Sequence, residues 1–187
     1  MHIRTAKPED ARAIAGFIAM AESEMVEFFT GTRDPEKGVE AMLAFVVSPA
    51  RNRYSLANNL VAEIDGQPAG SLIRFPADQQ PELDKPILEA VRRLGHDLDA
   101  LFFEGEPGTY YLSTMGVDPA FRGQGIGSGL LAAAEEEAAR RGFNRVSLLV
   151  SKDKPRVQGL YERVGFTAIK EVRIGPHPYN RMVKAVR

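Results

Sequence analysis

Between Val117 and Gly129 the chain reads V-D-P-A-F-R-G-Q-G-I-G-S-G, with glycines at 123, 125, 127 and 129 and Arg122 directly before the first of them. Glycine has no Cβ, so backbone there can take positive φ and approach a ligand closely. A helix that starts in such a stretch has unpaired first N–H groups and a dipole that favours negative charge, which suits an anion. Arg122 adds a planar cationic fork matched to phosphate oxygens. The chemistry on offer is the cradling of a phosphate group. Two common phosphate loops do not fit the letters. A dinucleotide-binding G-x-G-x-x-G would need glycine at Ser128 or Leu130, and a Walker loop would need a Gly-Lys pair that does not follow. The pattern that fits is R-x-x-G-x-G, on Arg122, Gly125 and Gly127.

A second group of letters, L-Y-E-R-V-G-F from Leu160 to Phe166, sets Tyr161 ahead of Gly165. A phenol there can donate to a basic leaving group. Other reactive side chains are sparse. The chain has no cysteine, and His2, His96 and His177 fall at no ligand spacing, so no metal site is expected. The run T-Y-Y-L-S-T-M-G-V before the glycine loop contains no carboxylate. Glu104 and Glu106 just ahead of it, and Glu63 further upstream, are the nearest candidate bases; they are read as solvated, and a water chain would also serve.

These groups need elements to hold them. Thr109 to Val117 reads as a strand, and the glycine loop leads from it into a helix, Leu130 to Arg141, with Gly142 as its left-handed stop. Arg145 to Val150 is a buried strand interrupted by Ser147. Pro155 opens another helix, with Val157, Leu160, Tyr161 and Val164 on one face, and Phe166 to Ile174 and Tyr179 to Val186 follow as closing strands. Upstream, His2 to Ala6 is an alternating strand. Pro8, Glu9 and Asp10 open a helix whose apolar face is Ala11, Ile14, Ala15, Ile18 and Ala21. Asp34 caps a second helix with Val39, Met42, Leu43 and Val46 inward, ended at Ser48-Pro49. Phe28 and Phe29, in the connection between these helices, are read as core, with a pocket wall as the alternative. Leu60 to Ile64 and Ala69 to Phe75 flank Asp65-Gly66 as a hairpin with a tight I′ turn.

Pro76 to Gly108 interrupts this pattern. Ile87, Leu88, Val91 and Leu94 have helical spacing, with Pro86 as the opening, Gly95 as the stop, and further turns expected through Leu98, Leu101 and Phe102. The stretch is acidic: Asp78, Glu82, Asp84, Glu89, Asp97, Asp99, Glu104 and Glu106 face Lys85, Arg92 and Arg93. It is read as a solvated cover, or as a lid that packs beside the acceptor site as an acidic wall.

At 187 residues, 44% hydrophobic and 26% charged, the chain has the size and composition of one globular domain. A formal net charge of −1 gives no basic footprint, so nucleic acid is not an expected partner. The N-terminal letters lack the apolar core of a signal peptide and no apolar run is long enough for a bilayer, so no membrane association and a cytoplasmic location are expected.

The R-x-x-G-x-G loop after strand-V-D-P, followed one strand and one helix later by L-Y-x-x-x-G-F, resembles the GNAT superfamily of N-acetyltransferases. The resemblance implies a single α/β domain of the α+β type over residues 1–187. Its sheet would be mixed, mostly antiparallel and of about seven strands, flanked by helices, with residues 76–108 as a helical insert between strands 3 and 4. It implies acetyl-coenzyme A as cosubstrate and no metal. The pyrophosphate would rest on the amides of Arg122, Gly123, Gln124, Gly125, Ile126, Gly127 and Ser128, and the pantetheine arm along the main chain of Met115, Gly116 and Val117. Tyr161 would protonate the departing thiolate. One position departs from the family: Lys154 stands where an Asn is common. The implied reaction is direct transfer of acetyl to a primary amine of a small molecule or peptide in a ternary complex. A non-catalytic acyl-coenzyme A sensor, a protein N-acetyltransferase and a homodimer are left open.

Overall fold

Asp65 and Gly66 take φ of 50° and 78°, as a tight I′ turn requires, and fold Asn59–Ile64 (β2) antiparallel against Gln67–Pro76 (β3). The computed structural model describes residues 1–186. Around this hairpin the sheet is completed by His2–Thr5 (β1), Tyr110–Val117 (β4), Arg145–Ser151 (β5), Thr167–Ile174 (β6) and His177–Ala185 (β7). The seven strands lie in the order β1-β2-β3-β4-β5-β7-β6, and all neighbours are antiparallel except β4 and β5. The mixed, mostly antiparallel sheet agrees with the sequence reading.

Among the described residues six α-helices flank the sheet: Ala11–Ala21 (α1), Ser23–Thr30 (α2), Pro35–Val46 (α3), Gln80–Arg93 (α4), Ile126–Arg140 (α5) and Pro155–Arg163 (α6). One core gathers Ile14, Ile18, Phe29, Met42 and Ile87 from α1 to α4 against Ile73, Phe75 and Tyr111 of the sheet. The other gathers Ile126, Leu130, Leu131 and Ala134 of α5 with Leu72, Tyr110, Leu112, Leu148 and, from α6, Tyr161. The central strands are therefore buried on both faces, while the edge strand β6 is exposed along most of its length.

Three local expectations are corrected. The connection holding Phe28 and Phe29 is itself a helix, α2; it has no Pro or Asx start signal and is fixed by burial of Val26 and Phe29 in the first core. α4 begins at Gln80 with Pro81 in its first turn, so Pro86 lies inside the helix. The carbonyl that Pro86 frees belongs to Glu82, on the solvent side, where water can satisfy it. No helical turn follows through Leu98, Leu101 and Phe102; Leu98 and Leu101 pack on the first core from an irregular segment.

What matters for function is where β4 and β5 part. They pair only at Tyr110 with Val146 and Tyr111 with Ser147, and beyond this the strands splay. The Thr109 and Ser147 hydroxyls, 2.6 Å apart and buried, pin the closed end, and Ser147 also accepts the Glu106 N–H. On the other edge of β4 the register with β3 slips between Leu72 and Arg74, leaving Ser113 and Thr114 opposite Ile73. The extra residue is a bulge, which bends β4 away from a straight ladder. α1 then packs directly on β4: a Cβ at Gly116 would stand 2.5 Å from the Phe17 carbonyl oxygen.

Candidate active site

The splay opens into a cavity of about 1020 Å³, and the glycine loop forms one end of it. Met115, Gly116 and Val117 of β4 face Leu149, Val150 and Ser151 of β5 across the gap, and Arg122, Gly123, Gly125, Ile126, Gly127 and Ser128 line the end. Of the residues expected to hold the cofactor only Gln124 is absent from this wall, and of the candidate bases Glu63 and Glu106 are absent from it too. Along the unpaired edge of β4 the main chain presents N–H and C=O groups as a strand edge does, a surface that an extended arm can pair with.

The loop's conformation follows from its glycines. Gly123 and Gly125 have φ of 76° and 79°, and a Cβ on either would meet nothing within 4 Å, so it is backbone conformation rather than crowding that calls for glycine. Gly125 caps α5 in this left-handed conformation and brings the helix start forward to Ile126, ahead of the expected Leu130. Among the described residues, the N–H groups of residues 123–128 donate to no protein acceptor, while the Arg122 N–H bonds the Pro119 carbonyl at 3.4 Å. Six main-chain donors are thus left free around one helix start, about as many as a diphosphate can accept. The amide of Arg122 belongs to the preceding turn instead. Its side chain lies over the Val117 carbonyl and Met20 Sδ, at 3.4 and 3.5 Å.

Tyr161 lines the cavity from α6, with its ring packed edge-on against Phe166 at 5.9 Å. Its hydroxyl makes no hydrogen bond with the described protein, and burial pushes its pKa up to about 12. The phenol therefore keeps its proton throughout the neutral range.

At the other end the cavity is acidic, through Glu104, which the sequence offered as a candidate base, and through Glu22, which no sequence pattern indicated. Glu22 sits at the break between α1 and α2, with non-helical φ and ψ of −131° and 43°; its N–H bonds the Ile18 carbonyl and its own carbonyl accepts from Val26. This break turns its carboxyl into the cavity, where the Thr114 hydroxyl of the β4 bulge donates to it. Burial, and then the charge of Glu104, push the Glu22 pKa up to about 7; the Thr114 hydrogen bond and the charges of Arg53 and Lys154 hold it from rising further. The one hint in the letters is a polar E-S-E between two apolar helical runs.

Glu104 is not solvated as expected. Its carboxylate accepts from Arg53 Nη1 at 2.5 Å and from the Tyr111 hydroxyl at 2.7 Å. Buried Arg53 also grips both oxygens of Asp84 on α4, each at 2.6 Å. Arg181 of β7 fixes the same segment through the carbonyls of Phe103 and Glu104 and the carboxylate of Glu106. The acidic wall expected from residues 76–108 thus reduces to a single carboxylate, Glu104. α4 packs away from the cavity, against α2 and the first core. Phe28 and Phe29 belong to or pack on that core and do not line the cavity. His177, which falls at no ligand spacing in the sequence, lines the cavity with its Nε2 3.3 Å from the Glu24 carboxylate. Lys154 lines the wall at the N-cap of α6.

Among the described residues, no group of three or more His, Asp or Glu is placed to hold a metal ion, and no helix is long and apolar enough to cross a membrane.

Comparison with known proteins gives a consistent result. The sequence model described as Acetyltransferase (GNAT) family matches residues 32–166. An acetyltransferase of Pectobacterium atrosepticum is 28% identical over 105 residues, covering 48% of this chain and 73% of that one. Among solved structures, one acetyltransferase is 34% identical with a TM-score of 0.78, with 100% of both chains covered. An N-acetyltransferase from Staphylococcus aureus Mu50, at 24% identity, shares the fold with a TM-score of 0.83 over 98% of this chain and 100% of that one.

Proposed function

This chain belongs to the GNAT family of acetyltransferases and is an acyltransferase, and from that premise we propose that it moves the acetyl group of acetyl-coenzyme A directly to a primary amine of a small molecule or peptide. The observation that carries the reading is the continuity of one cavity from a row of free main-chain amides, along an unpaired strand edge, to a carboxyl that titrates near neutrality. The residues fit the cosubstrate on its chemistry: residues 123–128 offer donors for a diphosphate and Met115–Val117 offer a ladder for the pantetheine amides. Bound there, it supplies an activated acetyl thioester.

Glu22 accepts the proton of the attacking amine. A carboxyl near pH 7 is half ionised at neutrality and a far better base than one at its usual value. Main-chain N–H groups of the β4 edge stabilise the charge that develops on the thioester oxygen. Tyr161 donates to the departing sulfur. Its burial makes it a weaker acid than a thiol, so the donor bond, with proton delivery as the C–S bond breaks, is the better description than full transfer beforehand. A non-catalytic sensor is the reading suggested by a central strand without a carboxylate and by Lys154 in place of Asn; against the first of these, Glu22 and Glu104 supply carboxylates from elsewhere in the chain.

The test is thiol release from acetyl-coenzyme A across a panel of amines. Tyr161→Phe is expected to lower kcat by about ten- to a hundredfold with little change in cofactor affinity, at the low end of acid–base effects because hydrogen bonding alone is lost. An unchanged rate removes Tyr161 from the chemistry. Gly125→Val should weaken acetyl-coenzyme A binding by at least about tenfold in calorimetry, since forcing a left-handed φ on a branched residue costs on the order of 1–2 kcal/mol and re-aims the amides. Equal affinity would mean that these amides do not hold the diphosphate.

A further inference from the structure

Lys154 is the one lysine among the described residues lining the cavity. Its backbone is fixed as the N-cap of α6: its N–H bonds the Ser151 carbonyl at 3.0 Å, and its own carbonyl accepts from Val157 and Gln158 at 3.0 and 3.1 Å. It therefore stands on the β5 arm of the splay, across from the β4 edge that faces the thioester arm. Its neighbours in sequence and fold are neutralised, Lys152 by Glu171 and Lys184 by Glu135, whereas Lys154 enters no ion pair among the described residues. Lys154 and Glu22 line the same cavity, the lysine exposed and the glutamate half-buried. Amine, base and thioester groove thus share a single chamber.

We propose that Lys154 is a self-acetylation site: with acetyl-coenzyme A bound and no acceptor present, its ε-amine takes the acetyl group within the same chain. The inference rests on the transferase reading above. The ammonium first loses a proton to solvent. The nitrogen lone pair then forms the N–C bond at the thioester carbonyl, the C–S bond breaks, Glu22 takes the second proton from nitrogen and Tyr161 supplies one to sulfur. The products are Nε-acetyl-Lys154, free coenzyme A thiol and one proton released overall. The step removes a cation from the cavity wall and leaves an amide in its place.

The experiment incubates the full chain with acetyl-coenzyme A alone and follows each lysine by peptide mass spectrometry, with exposed Lys37 as the measure of uncatalysed acetylation. Positioning beside the thioester should put Lys154 ahead of Lys37 by at least about tenfold, approaching one acetyl per chain, at a rate independent of protein concentration. Glu22→Gln should slow Lys154 without slowing Lys37, and Lys154→Arg should abolish the fast phase. The proposal is overturned if Lys154 keeps pace with Lys37 while the same preparation acetylates a free amine, in which case the transferase reading stands alone. It is also overturned if the rate rises with protein concentration. If no amine releases thiol and Lys154 stays unmodified, both readings fall together.

Discussion

Glu22→Gln is expected to lower kcat by about a hundred- to ten-thousandfold with acetyl-coenzyme A affinity unchanged, the range for losing a positioned general base. Glutamine keeps the shape and can still accept from Thr114, so the loss reports on proton transfer. The pH profile gives a second readout. Wild-type rate should fall below about pH 7, where the carboxyl becomes protonated, and the variant should lack this limb. Stability moves the opposite way. The carboxyl titrates near 7 in the folded chain against 4.5 ordinarily, so the folded state binds more protons between those values. Stability therefore falls as pH rises from about 4.5 to 7, and the deficit is complete above that. The glutamine variant should be more stable than wild type at about pH 8, by on the order of 1–3 kcal/mol, and no different below about pH 4. A variant that retains its rate, or is less stable at the higher pH, would exclude Glu22 as a desolvated base.

Arg53→Ala is expected to cost about 3–5 kcal/mol of folding stability, read as a lower urea midpoint at unchanged slope. The magnitude comes from what is stranded. Asp84, side chain 7% exposed, and Glu104, 16% exposed, would each lose a cation bonded at 2.6 and 2.5 Å, with the Gln80 amide and the Tyr111 hydroxyl left as neutral donors. Neutralising both acids in the same background, with Asp84→Asn and Glu104→Gln, should recover part of the loss, because the penalty belongs to unpaired buried charge. Removing Arg53 also removes a charge that holds the Glu22 pKa down, so the acid limb of any residual activity should shift to higher pH. An alanine variant as stable as wild type would mean that water reaches this cluster freely.

Most of the frame was legible in the letters because short-range backbone preferences wrote it. Asp65-Gly66 permits the I′ hairpin, Asp34 caps α3 by accepting the Lys37 N–H at 3.1 Å, and Gly142 and Gly165 stop helices with φ of 82° and 98°. The spacing of Arg122, Gly125 and Gly127 similarly encodes a helix start with free amides, since a left-handed residue is a property of a few consecutive bonds. Where the reading missed, burial had overridden a local cue. α2 has no start signal yet folds because Val26 and Phe29 find a core, and α4 runs through Pro86 because Leu83, Ile87 and Val91 are buried on its inner face.

The carboxylates that line the cavity are a different matter. Arg53 and Glu104 are 51 residues apart, and Thr114 and Glu22 are 92. The letters determined that this chain would form a mixed sheet with a glycine turn at a helix start and a tyrosine after it. Only the tertiary structure decided that a glutamate at a break between two helices would turn into the cavity beside Thr114 with its pKa raised, because a pKa depends on which charges and how little water surround a group. Those surroundings are assembled from distant segments, and no local pattern records them.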